Sequence, residues 1–214
     1  ENIRNAYDTY TCTGLPAGPI SNPGLAAIQA ALDDCSAAGG GQVLLPAADT
    51  PDCDSGYGRR YLVTNLRLHS NTDLHIPAGA VLRQSDDPAH YRILPRFGHN
   101  VSMTGVNWPA NHSSGNYPLI YAYRERNVRI TGGGIIRMCD TESRSRDGYF
   151  HYIGDNVCIG CCDRMHTIPV GMSECENVEV SDVSLIRSSA PYLIINGMKR
   201  VFVGGVRLDE SKCT

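Results

Sequence analysis

Apolar residues recur in three- and four-residue steps only once, at Leu25, Ile28, Leu32 and Cys35. That spacing predicts one amphipathic helix from Pro23 to Cys35, with Ser21 or Asn22 as its cap and Gly39-Gly40-Gly41 as its end. After the glycines the period shortens to two. Short aliphatic runs such as QVLLP (42–46) and YLVTNLRL (61–68) alternate with Gly, Asn, Asp and Pro, the signature of short strands and turns.

A longer repeat overlies the alternation. A polar residue precedes an aliphatic pair on alternate positions at Asp73-Leu74-His75-Ile76, Asn100-Val101-Ser102-Met103, Asn127-Val128-Arg129-Ile130, Asn177-Val178-Glu179-Val180 and Arg200-Val201-Phe202-Val203. The first residues lie 27, 27, 50 and 23 apart; taking 50 as two units gives a period of about 25 residues, within the range of stacked solenoid coils. Several short strands per unit without intervening helices predict an all-β protein, a right-handed parallel β-helix with an N-terminal capping helix. Alternation then turns Val178, Val180, Val183 and Leu185 inward, and the helix plugs the open edge of the first coil. Segments 49–60, 86–99, 107–117 and 139–167 interrupt the repeat and are expected to project as loops from one side, where binding and catalytic residues usually sit.

Composition narrows the class. Forty-two per cent hydrophobic and 19% charged residues over 214 positions suit a single globular domain, and because no capping element follows Leu208 it is expected to be a portion of a longer or two-chain β-helix, the N-terminal one given the helix at its start. A net charge of −3 provides no basic field for nucleic acid, and no apolar run is long enough to cross a membrane as a helix. The start at Glu1 lacks signal-peptide character, which fits a leader already removed. Nine scattered cysteines favour an oxidising, extracellular setting. Cys158, Cys161 and Cys162, with Asp163 and His166 beside them, could supply soft-metal ligands, but a second spaced pair is missing, so disulfides or buried thiols are expected and no metal or cofactor. The sequons at Asn100 and Asn111 add weak support for secretion. The odd cysteine count makes Cys213 the candidate for a bond to another chain.

Four stretches in order, GGGQVLLPA (39–47), YLVTNLRLHSNTDLHIPAGAVLRQSDDPAHY (61–91), NYPLIYAYRERNVRITGGGII (116–136) and ECENVEVSDVSLIRSSAPYLIINGMKRVFVGGVRL (174–208), resemble the N-terminal half of the polygalacturonase family, the family 28 glycoside hydrolases that cleave pectin. The resemblance implies inverting hydrolysis by carboxylates about 6.5 to 9.5 Å apart, one protonating the leaving oxygen while another activates water. The four family motifs that bear those groups follow the coil ending here near Leu208, and none occurs in this chain. The catalytic groups are therefore expected beyond Thr214, with Asp209 and Glu210 as the nearest carboxylates. Asp86-Asp87 precedes Pro88 and reads as a turn.

Arginine outnumbers lysine 17 to 2, and guanidinium forks match the carboxylates of uronic acids. Arg96 and Arg164 fall where the resemblance implies arginines near the sugar, and Tyr117 and Tyr192 are candidates to stack on a sugar ring. His99, His151 and His166 have no partner visible in the sequence, and Gly132-Gly133-Gly134 leads into a strand, which excludes a phosphate-cradling loop. The expected function is a secreted hydrolase of acidic polysaccharide attacking chain ends, with segment 139–167 closing one end of a groove and the rest of the β-helix as its partner. A β-helix lyase or epimerase and a non-catalytic adhesin are the alternatives.

Overall fold

A computed structural model describes residues 23–47, 59–84, 116–138, 166–186, 188 and 192–209. The predicted helix forms as α1 (Pro23–Ala37), two residues longer than its apolar pattern. Its C-terminus is closed by amides of Ala38, Gly39 and Gly40 bonding back to Asp34, Ser36 and Cys35 carbonyls. Gly39 and Gly40 have φ of 99° and 114°, a region that side chains rarely enter, and a Cβ on Gly40 would strike Asn71.

Fourteen strands follow: β1 (Gly41–Leu44), β2 (Arg59–Val63), β3 (Leu66–Arg67), β4 (Thr72–His75), β5 (Ala80–Gln84), β6 (Asn116–Tyr123), β7 (Arg126–Thr131), β8 (Ile135–Arg137), β9 (His166–Ser173), β10 (Glu176–Ser181), β11 (Ser184–Ile186), β12 (Leu193–Asn196), β13 (Lys199–Gly204) and β14 (Arg207–Asp209). They stack as three parallel sheets: sheet A, β1-β4-β7-β10-β13; sheet B, β2-β5-β8-β11-β14; and sheet C, β3-β6-β9-β12. This is a right-handed parallel β-helix in which each of the first four coils gives one strand to each sheet, and β13 and β14 add a fifth strand to sheets A and B.

Parallel pairing without drift sets the core. Val43, Leu74, Ile130 and Val180 lie opposite one another along sheet A and are all buried. Val178, Val183 and Leu185 are buried as the alternation predicts. Each such side chain contributes roughly 1.5 to 3 kcal/mol relative to exposure. The helix buries Ile28 and Leu32 over the first coil, touching β1, β2, β3 and β4. It also finishes the exposed edge of sheet C, because the Gln29 carboxamide accepts from the Arg67 amide at 2.9 Å and donates to the Arg67 carbonyl at 3.1 Å. One side chain thus replaces a neighbouring strand.

Two parts of the sequence repeat are corrected by the register. Leu74 pairs with Ile130, not Val128, so Asn71 is the counterpart of Asn127 and the first unit begins two residues earlier than its aliphatic pattern suggests. A two-residue slip keeps every side chain on the same face, which hides it from a period-two reading. In addition, β4 pairs directly with β7 and β7 with β10, so the interval of 50 is one coil and no coil lies between β4 and β7. Asn100-Val101-Ser102-Met103, which the period counts as a unit of its own, lies outside the described residues.

The turn between sheets C and A explains why asparagine recurs. Asn71, Asn127 and Asn177 have φ of 61°, 54° and 57°, tolerable because a short polar side chain bonds locally. Their amides stack: Asn127 Nδ2 donates to Asn71 Oδ1 and Asn177 Nδ2 to Asn127 Oδ1, both at 2.7 Å. Charged rungs run between coils as well, with Arg129 Nε donating to Glu179 Oε2 at 2.8 Å and Arg200 Nη2 to Glu176 Oε1 at 2.8 Å.

Replacing Gln29 by Leu leaves both Arg67 peptide groups to solvent, and chemical denaturation should show a loss of about 1 kcal/mol. The Arg129 bond and a second from Ser181 hold the Glu179 carboxyl below its ordinary value of 4.5, so its stabilisation is full above that value and disappears as pH falls through the lower folded value. Glu179→Gln should cost under about 1 kcal/mol near neutral pH, and denaturation curves of variant and parent should converge below pH 4.5.

Candidate functional site

Residues 85–115, 139–165 and 187–192 connect β5 to β6, β8 to β9 and β11 to β12, so all three connections pass from sheet B to sheet C. Segment 48–58 joins β1 to β2 at the sheet A–B corner instead, which corrects the expectation that every long segment leaves from one side. All three B-to-C connections are anchored at the corner shared by sheets B and C.

Two sequence candidates belong to sheet C. Tyr117 lies in β6 opposite Thr167, and Tyr192 immediately precedes β12, half-buried and packed on the core. Asp209 ends β14 opposite Ile186 and so lies on sheet B, not with the tyrosines. Arg96, Arg164 and Glu210 lie outside the described residues, as do Asp86, Asp87, His99 and His151; His166 opens β9. Of the nine cysteines, Cys35 and Cys175 are described, and both are free thiols, so the disulfide expectation fails for these two. Burial pushes the Cys175 thiol up, the state of an unreactive core residue. Cysteines 12, 53, 139, 158, 161, 162 and 213 lie outside the described residues.

The turn leaving sheet C holds charges that the sequence pattern did not single out. Arg124 Nε donates to Glu174 Oε2 at 2.7 Å and its guanidinium carbon stands 5.0 Å from the centroid of the Tyr123 ring, so the Glu174 bond raises its pKa further. Glu125 accepts from the Ser70 amide at 2.9 Å and hydroxyl at 2.6 Å, and from Arg67 Nη2 at 3.2 Å. These contacts fix adjoining coils at the corner.

A separate constellation occupies the outer face of sheet A. Gln42, Asp73, Arg129, Glu179 and Phe202 form one register row, and His75 and Thr131 face each other in the next outward row. Gln42 Nε2 donates to Asp73 Oδ2 and Thr131 Oγ1 to Asp73 Oδ1, both at 2.8 Å. An ionised carboxylate only accepts, so the single Thr131 hydroxyl proton is committed to Asp73. His75 Nδ1 lies 2.9 Å from Thr131 Oγ1 and is the donor there, so whenever the ring carries a single proton Nε2 is an acceptor. All of these but Phe202, together with Gly132, Gly133, Ser181 and Asp182, line an open depression of about 510 Å³. Among the described residues no three metal-ligating side chains converge. Period-two alternation could place Asp73 and His75 on one face, but only the stacking register brings Gln42 and Thr131 to them.

Comparisons with known proteins bear on the fold. The sequence pattern of the YceG-like family matches residues 1–37, and no curated protein matches the chain. Several solved structures share the fold, three of them polygalacturonases. The family 28 exopolygalacturonase of Yersinia enterocolitica superposes with a TM-score of 0.61 at 21% identity, covering 95% of this chain and 38% of that one. The hyperthermoactive exopolygalacturonase of Thermotoga maritima gives 0.58 at 20%, covering 86% and 42%. The polygalacturonase of Erwinia carotovora subsp. carotovora gives 0.58 at 17%, covering 93% and 57%. This chain thus spans 38% to 57% of those three chains, and what it shares with them is the parallel β-helix.

Proposed function

We propose that this chain supplies the N-terminal coils of a secreted glycoside hydrolase that cuts an acidic, galacturonic acid-containing polysaccharide by inversion, from chain ends. The observation that carries the reading is the fold shared with the three pectin-degrading enzymes over 86% to 95% of this chain. The anchoring of three connections at the corner shared by sheets B and C supports it, since long connections on a rigid scaffold commonly carry binding residues. Tyr117 and Tyr192 are assigned to sugar stacking there, Arg96 and Arg164 to the uronate carboxylate, and the hydrolytic carboxylates to residues beyond Thr214.

Ile195, Val201, Val203 and Leu208 stand in the inward rows of their sheets, in register with buried Met172, Val178, Val180 and Leu185, yet remain 38% to 58% exposed. Among the described residues nothing covers them. A further coil, from the same chain or a docked second one, is the partner that such a row would accept.

Incubating the whole protein with polygalacturonate should release new reducing ends without an unsaturated product absorbing in the ultraviolet, and viscosity should fall slowly. An ultraviolet-absorbing product means a lyase; rapid thinning means internal attack. Arg164→Ala should lower kcat/KM by an amount equal to one charged hydrogen bond, roughly 1.5 to 3 kcal/mol. Residues 1–214 alone should release no reducing sugar and should self-associate in light scattering.

A further inference from the structure

The polar depression on sheet A lies on a different sheet of the β-helix from Tyr117 and Tyr192 and is not needed for the chemistry proposed above. Its unused hydrogen-bonding groups have opposite sense. With one proton on its ring His75 accepts at Nε2, while the terminal nitrogens of Arg129 donate and are left over because Nε engages Glu179. A hydroxyl group both donates and accepts, so a ligand rich in hydroxyls is the class that satisfies both. Charge sets a second limit. Asp73, Glu179 and Asp182 outnumber Arg129 around the depression, and nearby Arg200 is taken up by Glu176, so a polyanion is disfavoured.

The third element is aromatic. Phe202 lies in the register row of Arg129 and Glu179, is 60% exposed, and lays its ring across Gly204, where any Cβ would collide with it. A second hollow of about 240 Å³ beside it shares Arg129 and Glu179 with the first, making a continuous open strip. At about 4.8 Å per strand, His75 and Phe202 stand roughly 14 Å apart across the sheet, a span longer than one sugar ring. We propose that the outer face of sheet A is a saccharide-binding surface for a neutral, hydroxyl-rich glycan segment, with Phe202 against a sugar face and His75 and Arg129 on its hydroxyls. The Asp73–Thr131 pair acts as a positioning device that fixes the His75 ring and its tautomer.

The test is calorimetric titration of the whole protein with neutral β-1,4-linked hexamers of glucose, mannose and galactose, and with a galacturonic acid hexamer as the charged control. At least one neutral hexamer should bind, and Phe202→Ala and His75→Ala should each weaken it fivefold or more. Gly204→Ala, which pushes the ring aside without removing it, should weaken it similarly, while release of reducing ends from polygalacturonate stays unchanged. If His75→Ala fails to fold, the two substitutions at the exposed end of the strip decide the matter. Absence of binding by every neutral hexamer, equal binding by parent and variants, or loss of the acidic hexamer alone overturns the proposal. A protein inactive on polygalacturonate that still shows the titration result would remove only the hydrolase reading.

Discussion

The in-register parallel stack is the constraint on which everything else in this molecule depends. Strands of one coil bond to those of the next coil along the axis, so unpaired strand edges arise only where the stack stops. Gln29 shows how the first edge is closed, with one carboxamide standing in for a strand. The same constraint makes each position recur at one spot on every coil. A single apolar choice therefore becomes a column, as with Val43, Leu74, Ile130 and Val180.

Magnitudes separate what holds the stack from what aligns it. A buried aliphatic residue contributes roughly 1.5 to 3 kcal/mol, whereas an exposed ion pair contributes about 0 to 1. The Arg129–Glu179 and Arg200–Glu176 rungs and the asparagine ladder are thus minor in total stability. Their role is register, because each fits only when the coils neither slip nor rotate. Glu125 is the corner counterpart, its carboxylate tying Ser70 and Arg67 of the preceding coil to its own turn. The glycines after β7 serve the same close approach: a Cβ on Gly132 would collide with the Ile76 carbonyl, and the Gly134 amide donates to that oxygen at 2.7 Å.

The faces of the β-helix divide the available chemistry. Sheet C adjoins the corner at which the connections from sheet B are anchored. The outer face of sheet A is built from the coils themselves, and its groups are aligned by backbone spacing. Rigid rows of this kind position side chains at fixed intervals and suit a repeating ligand.

By itself the sequence determined the architecture and the inside-outside assignment. Helical spacing at Ile28 and Leu32 and strict alternation at Val178, Val180, Val183 and Leu185 report burial directly, because each period corresponds to one element geometry. It could not determine which strand lies against which. Alternation looks the same after a two-residue slip, so Asn71 was missed as the partner of Asn127, and a long insertion within a coil imitates an extra coil. Tyr117 and Tyr192 were legible as residue types, while Asp209 fell on another sheet because chain order does not reveal the face. Only the tertiary structure assembled Gln42, Asp73, Thr131 and His75, since these contacts join residues 31 and more positions apart through hydrogen bonds that exist only once the coils are in register.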